Sequence, residues 1–229
     1  MAAVFRCAAA ETADLNKPAE GETRLQGSDA DKALEGLAER FKANPRVKAH
    51  LASEAEDLVG VKKDEGEFLL DRGGRVLQKF GGLKPKLRLL TGTELHEYSA
   101  SRKTDFIKDF AKAPNALKLL KSAVTVDLKE LTQLFEINVY SKPAKTDGVD
   151  LRLVLLPRQA GNNPLAYQYI QARIGPKEPF FNEIEYMPDS GKIVERYSNM
   201  ETVAAFADSD FAPPEGVKKE IDLVEGDGK

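Results

Sequence analysis

Hydrophobic and polar residues alternate with a period of two along most of the chain, which is the pattern of β-strands. The first alternating stretch begins at Val47. Short turns rich in glycine, proline and aspartate separate it from the stretches that follow, so the pattern predicts an antiparallel meander. The further predicted strands cover residues 57–62, 66–71, 75–80, 86–91, 94–98, 135–140, 149–156, 167–174, 182–187, 192–198 and 201–207.

A period near 3.6 residues, which indicates helices, occurs in two places. The first predicts an amphipathic helix with Ser28 as its N-cap and Pro45 beyond its end. Its apolar stripe consists of Leu34, Leu37 and Phe41. The second place is segment 104–124, which Pro114 divides into two short helices, and a further helical turn is predicted at 127–133.

These elements predict a single, mainly β domain over residues 28–223. A sheet of about twelve strands without crossover helices must curl strongly or close into a barrel. The predicted fold class is therefore an incomplete, strongly curved antiparallel β-barrel. The N-terminal helix and segment 104–124, as a helical lid, are expected to cover its concave face. Residues 1–27 and 224–229 are aperiodic, so we predict a flexible N-terminal segment and a flexible tail.

Composition and charge argue against several classes of protein. The net charge of −3 and the pI near 5.6 disfavour a nucleic-acid partner, which usually meets a basic face. No stretch approaches the ~18 consecutive apolar residues of a membrane-spanning helix. Cys7 is the single cysteine, so no internal disulfide can form. The start, MAAVFRCAAAET, lacks the apolar stretch of a secretory signal, so either the protein stays in the cytosol or its export signal lies outside this sequence.

Motifs of catalysis and metal binding are missing from the sequence. The stretch HEYSA, residues 96–100, begins like the HExxH motif of zinc proteases but has Ala100 in place of the second histidine. There is also no GxSxG, phosphate-loop or GxGxxG motif. We therefore predict no catalytic residues, no metal and no cofactor, and we expect that the protein is not an enzyme. The alternative is an enzyme that uses a pair of carboxylates for acid–base chemistry inside the curved sheet, although no residues in the sequence single out such a pair.

Large apolar side chains on the predicted strands and lid have two interpretations. They can pack as an ordinary core, or they can line a hydrophobic cavity for acyl chains, where each buried CH₂ contributes ~0.8 kcal/mol. Alternation also places Arg72 at the edge of the apolar face of strand 66–71. A guanidinium there either reaches water or donates to a partner held over that face. The candidate lipid-binding residues are Phe68, Leu70, Val76, Phe106, Phe110, Leu117 and Leu120.

Four short motifs follow one another in an order that resembles a known family. They are RVKAHLASE at 46–54, GEFLLDR at 66–72, LLTGTELHEY at 89–98 and FAPPEGV at 211–217. In this order and spacing, the stretch from about residue 30 to residue 223 resembles the outer-membrane lipoprotein carriers, the LolA/LolB-like group. The resemblance implies an incomplete antiparallel β-barrel with a helical lid over a hydrophobic cavity.

The same resemblance implies a function and partners. Members of this family are periplasmic chaperones that shuttle lipoprotein acyl chains from an inner-membrane ABC transporter to an outer-membrane acceptor. The arginine that matches Arg72 is a lid latch, bonded to the lid so that the empty cavity stays closed. We expect a monomer in the periplasm that binds acyl chains or another lipid and no nucleic acid. The alternative is a lipid-sensing or regulatory interaction domain of this fold in envelope stress signalling.

Overall fold

One curled sheet of thirteen strands forms most of the structure. The computed structural model describes residues 15–82, 85–114, 116–117, 121, 128–145, 147–158, 167–188 and 191–224. The strands are β1 (Thr23–Leu25), β2 (Arg46–Asp57), β3 (Gly60–Asp71), β4 (Arg75–Phe80), β5 (Lys86–Thr91), β6 (Glu94–Ser99), β7 (Thr104–Asp109), β8 (Phe135–Pro143), β9 (Val149–Pro157), β10 (Tyr167–Ile174), β11 (Glu183–Pro188), β12 (Gly191–Thr202) and β13 (Lys218–Leu223). The helices are α1 (Ser28–Ala43), α2 (Leu128–Leu134) and a 3₁₀ helix (Asp208–Phe211). Over the described residues, no helix has both the length and the apolar character needed to span a membrane.

The sheet consists of two antiparallel meanders that meet along one central pair of strands. The first meander runs from β2 to β7 and the second from β8 to β12, and β12 pairs with β2. β1 lies beside β8 at one edge, whereas β13 lies parallel to β7 at the other. The barrel stays open because these two edge strands, among the described ones, are not neighbours. The predicted fold class, a strongly curved and incomplete antiparallel sheet, is confirmed.

The boundaries of several elements differ from those that the sequence predicts. The first predicted lid helix is wrong over residues 104–109, which form β7, because backbone pairing with β6 and β13 holds this stretch extended from both sides. The predicted strand at 201–207 is wrong beyond Thr202, where β12 ends. Residues predicted as two strands, 57–62 and 66–71, belong to the hairpin of β2 and β3, and most of them form β3.

Helix α1 lies against the concave face of the sheet. The prediction of Ser28 as its N-cap is wrong, because the helix already includes Ser28 and its N-cap is Gly27, which has no side chain to cap it. Asp29 in the first turn lies at the positive end of the helix dipole. Its apolar stripe buries Leu37 and Phe41, which join the main hydrophobic cluster of the sheet. The helix therefore covers one part of the concave face.

The N-terminal strap, residues 15–25, lies on the convex face of β8–β10. Arg152, which is 5% exposed, donates from Nη2 to the carboxylate of Glu22 at 2.6 Å and to the carbonyl of Lys17 at 3.0 Å. The same guanidinium lies 4.0 Å from the ring of Tyr140. Burial alone would raise the pKa of Glu22, but the hydrogen bond and charge of Arg152 help to lower it below its usual value. Order therefore begins before α1, earlier than the sequence predicts.

The C-terminal strap, residues 203–217, crosses the convex face of the first meander. Phe206 and Phe211 pack there against side chains of β3–β5, and the guanidinium of Arg75 lies 4.6 Å from the ring of Phe211. The apolar side chains under the strap are Leu69, Leu77, Leu87 and Leu89. Beyond the strap, β13 extends the sheet next to β7. Because both straps lie on the convex face, they leave the concave face to other contacts.

Candidate functional site

The interior of the curled sheet has an apolar end next to α1. Aromatic rings that meet there form the aromatic cluster, which consists of Phe41, Phe68, Phe180, Phe181 and Tyr197. The ring of Phe68 lies 5.1 Å from Phe180 and 4.8 Å from Tyr197. Aliphatic side chains from both meanders continue the same buried cluster. The apolar end is therefore a continuous surface that can bury hydrocarbon.

The predicted cavity residues divide between this end and the rest of the concave face. Those that lie in the apolar cluster or pack against it are Phe68, Leu70, Val76 and Leu117. Phe106 is half-buried on β7, and the guanidinium of Arg102 lies 5.7 Å from its ring. Phe110 is half-buried just after β7, and Leu120 lies outside the described residues. The role of these side chains in lipid binding stays a prediction.

Part of the predicted lid lies next to the apolar end. Ala113 is buried, and the backbone N–H of Leu117 donates to its carbonyl at 3.0 Å, which forms one helical turn. A Cβ on Gly74, in the turn between β3 and β4, would lie 3.6 Å from Cε of Lys121. The segment after β7 therefore passes over the turn that follows Arg72. Residues 115, 118–120 and 122–124 of the predicted lid segment lie outside the described part of the chain.

Arg72 lies at the edge of the apolar end, just beyond β3. Its guanidinium lies 4.2 Å from the ring of Phe41 and donates to the carbonyls of Asn44 at 3.2 Å and Pro179 at 3.3 Å. Burial lowers the pKa of Arg72 to about 10. These contacts join the C-terminal end of α1 to the loop between β10 and β11. The latch between Arg72 and the lid, which the resemblance implies, stays a prediction.

A polar wall surrounds a buried carboxylate in the adjoining part of the interior. Glu195 of β12 is 3% exposed, and Gln78 of β4 donates to its two oxygens at 3.0 and 3.1 Å. The hydroxyls of Tyr197 and Tyr186 donate to the same carboxylate at 2.6 and 3.4 Å. Because β2 and β3 separate β12 from β4 in the sheet, these bonds require a strong curl. The polar wall consists of Gln78, Tyr167, Tyr186 and Glu195.

The tyrosines near Glu195 hold their protons strongly. Burial, and then the negative charge of Glu195, raises the pKa of Tyr186 and Tyr197 well above the usual value, and that of Tyr167 is raised for the same reasons. All three are therefore neutral hydroxyls at physiological pH. The charge of Arg88 on β5 also acts on Tyr167 on β10, so opposite sides of the interior come close together here.

The concave face is open to solvent along β5–β7. Arg88 Nε and Lys108 Nζ each lie 3.8 Å from a carboxylate oxygen of Glu97, and the three side chains are 41–50% exposed. Cross-strand pairing places Glu97 beside both Arg88 and Phe106 on this face. Ion pairs this exposed contribute little to stability. This side of the sheet therefore gives solvent access to the interior.

The sequence did not predict the polar wall or the contribution of the loop between β10 and β11. Strand alternation already places Glu195 on the same face as Ile193 and Tyr197, and a charged residue at an apolar-face position signals a buried polar site. Phe180 and Phe181 lie in a loop, where no periodicity predicts which way a side chain points. Their part in the aromatic cluster depends on tertiary contacts alone.

His96, from the stretch that resembles a zinc-protease motif, is buried on the convex face. Its Nδ1 lies 2.8 Å from Asp105 and its Nε2 lies 3.1 Å from Glu94. Within the described ranges, no group of three or more histidine, cysteine, aspartate or glutamate side chains is arranged to hold a metal ion. The contacts of His96 therefore serve the packing of β6 against β7.

Comparison with known proteins finds similarity in structure rather than in sequence. No family model matches the chain, and no curated protein matches it. An uncharacterised conserved protein of Thermus thermophilus is similar over 83% of this chain and 99% of its own, with a TM-score of 0.52 and 9% identity. A putative outer-membrane lipoprotein-sorting domain of Vibrio parahaemolyticus matches over 80% of this chain and 97% of its own, with a TM-score of 0.42 and 12% identity.

A third solved structure carries the name of the family that the sequence motifs resemble. This LolA superfamily protein of Nitrosomonas europaea matches over 79% of this chain and 97% of its own, with a TM-score of 0.40 and 10% identity. The structural neighbours therefore include that family. At these identities the likeness is one of fold alone.

Proposed function

We propose that the protein binds lipoprotein acyl chains, or other lipid chains of similar length, in the interior of its curled sheet. The observation that carries this proposal is the shape of the concave face. Its apolar end is continuous from α1 across both meanders, and the same face opens to solvent along β5–β7. An acyl chain that enters from the open side meets apolar surface, where each buried CH₂ contributes ~0.8 kcal/mol.

Entry of a chain requires the apolar end to open. In the structure, α1 covers this end with Leu37 and Phe41, both at most 3% exposed. Arg72 holds the C-terminal end of α1 through the carbonyl of Asn44 and the ring of Phe41. We infer that Arg72 is the latch of the closed, empty form, in which α1 and the turn at Leu117 lie on the apolar end.

The cellular role that we propose is that of a periplasmic carrier. In this role the protein takes lipoproteins from an inner-membrane ABC transporter and passes them to an outer-membrane acceptor. The order of the four sequence motifs and the curled, open sheet support this role. It needs reversible binding without covalent chemistry, so we propose no enzymatic activity. A regulatory domain that senses lipid through the same interior is the second candidate.

The binding proposal is tested with a neutral hydrophobic dye whose fluorescence rises on burial. We expect saturable binding near one equivalent, and competition by a single-chain alcohol. Phe180→Leu, in the aromatic cluster, is expected to change dye affinity several-fold, whereas the matched change Phe206→Leu on the convex face changes it less than about twofold. Dye fluorescence no greater than with an unrelated globular protein contradicts the proposal.

The carrier role has a separate test. A fluorescent lipid loaded into the protein is expected to move to acceptor vesicles, and Arg72→Leu is expected to slow this transfer because the open form retains its ligand. Fractionation of cells that express the native gene should find the protein in the periplasm. A cytosolic location, or binding without any transfer, contradicts the carrier role and favours the regulatory one.

A further inference from the structure

We propose that Glu195 forms a binding site for an ammonium head group, so that the interior selects single or double acyl chains that carry an amine. This inference rests on the proposed lipid binding and specifies its ligand. The site lies at the junction of the aromatic cluster and the polar wall. Tyr197 marks this junction, because its ring packs on Phe68 and Phe180 while its hydroxyl donates to Glu195.

The charge of Glu195 is buried without a cation beside it. Within the described part of the chain, no lysine, arginine or histidine nitrogen lies within 4.0 Å of its carboxylate, and its hydrogen bonds come from the neutral donors Gln78, Tyr186 and Tyr197. Every one of these groups can donate, which suits an ionised carboxylate that only accepts. Carboxylates this deeply buried are usually paired with a cation. A ligand cation would complete the pairing.

One acceptor position on this carboxylate remains for a ligand. Oε2 accepts from both tyrosine hydroxyls and from Gln78, whereas Oε1 accepts from Gln78 alone. A carboxylate offers about four acceptor directions, two on each oxygen. An ammonium group that donates to Oε1 would therefore add a charge-assisted hydrogen bond without displacing an existing one.

The neighbouring charges favour an amine over an acid at this position. Two cations on the open part of the same concave face, Arg88 and Lys108, already face Glu97 at 3.8 Å and are about half-exposed. A carboxylate or phosphate head group beside Glu195 would meet a buried like charge, which is costly. An acyl chain whose tail lies in the aromatic cluster places its head group beside Glu195, because the side chain of Tyr197 connects the cluster to this carboxylate.

The site is tested by displacement of the neutral dye at pH 7 with dodecylamine, dodecanol and dodecanoate. These ligands have equal chain lengths and differ in the charge of the head group. The wild-type protein is expected to bind the amine at least about tenfold more tightly than the alcohol, and the carboxylate less tightly than the alcohol. In Glu195→Gln, which keeps the side-chain shape, the amine is expected to lose this preference while the affinity for the alcohol stays within about twofold.

The control variant Glu97→Gln removes a carboxylate from the same face, but one that is exposed and already paired. It should retain the preference for the amine. A second variant, Tyr197→Phe, removes a neutral donor from Glu195 and should strengthen the preference, so the test stands even if Glu195→Gln fails to fold. Equal binding of all three ligands by the wild type, or an unchanged preference in Glu195→Gln, overturns the inference. Failure of the dye and of dodecanol to bind instead refutes the proposed function.

Discussion

The two parts of the interior differ in how their side chains are held. At the apolar end, Phe68 and Leu70 are at most 1% exposed and pack on all sides. Along β5–β7, Arg88 and Lys108 lie on the same concave face but are about half-exposed and face Glu97 across 3.8 Å. One continuous face of a sheet therefore supplies both the stability of the fold and an adaptable entrance. Hydrophobic burial stabilises the first part, whereas the second can change shape at little cost.

The largest expected change in the free energy of unfolding comes from the removal of a ring from the aromatic cluster. Phe68→Ala removes contacts with Phe180 and Tyr197, so we expect the free energy of unfolding in urea to fall by about 3–5 kcal/mol. The matched change Phe106→Ala, on the same face but half-buried on β7, should cost less than about 1.5 kcal/mol. Similar losses in both variants would mean that the two parts of the interior are equally packed.

Each part of the interior has one arginine whose replacement by leucine tests how firmly that part is held. Arg72→Leu leaves the carbonyls of Asn44 and Pro179 without these hydrogen bonds, so we expect a loss of about 1.5–3 kcal/mol in unfolding free energy. Amide exchange should also become faster in α1 and around Leu117. Arg88→Leu, on the open side, should change the unfolding free energy by no more than about 0.5 kcal/mol. Unchanged exchange in Arg72→Leu would show that Arg72 does not hold α1.

The smallest expected effect is the part of the pH dependence of stability that Tyr197 alone causes. The folded-state pKa of Tyr186 and Tyr197 is raised, so their contribution to stability is present below the unfolded-state pKa of about 10 and is lost as pH rises above it. Each such tyrosine then removes about 1.4 kcal/mol per pH unit. Urea unfolding at pH 8 and pH 11 measures this loss, which should be smaller in Tyr197→Phe. An equal loss of stability in Tyr197→Phe would mean that the Tyr197 hydroxyl is in contact with water in the folded protein.

The sequence predicted the strands well where alternation was long and turns were short. The prediction of 167–174 as a strand coincides with β10, and Phe68 and Leu70 lie on the buried face that alternation assigns to them. Pairing with two neighbours was needed to define β7, because its six residues are too few to separate a helical period from a strand period. The N-terminal strap was not predicted because its position depends on polar contacts to one buried residue, Arg152.

The candidate site was less predictable than the fold. The sequence singled out Arg72 because it follows the apolar side chains on one face of a predicted strand. Its contact with the ring of Phe41 agrees with that position. Its partners, however, are backbone carbonyls at Asn44 and Pro179, which no residue-type pattern identifies. The polar wall joins strands from both meanders, so its existence depends on the curl of the whole sheet. Sequence alternation gives the face of a residue but not the residue that lies across the interior.

The pairing of β12 with β2 also determines how the chain can reach its native state. His50 pairs with Ser198, so this contact closes a loop that contains most of the protein. Loop closure of that length is entropically costly and slows folding, so the two meanders are expected to form first and to dock late. Until they dock, β2 and β12 are free edges that can pair with another chain. Refolding should therefore be slow, and its yield should fall as the protein concentration rises.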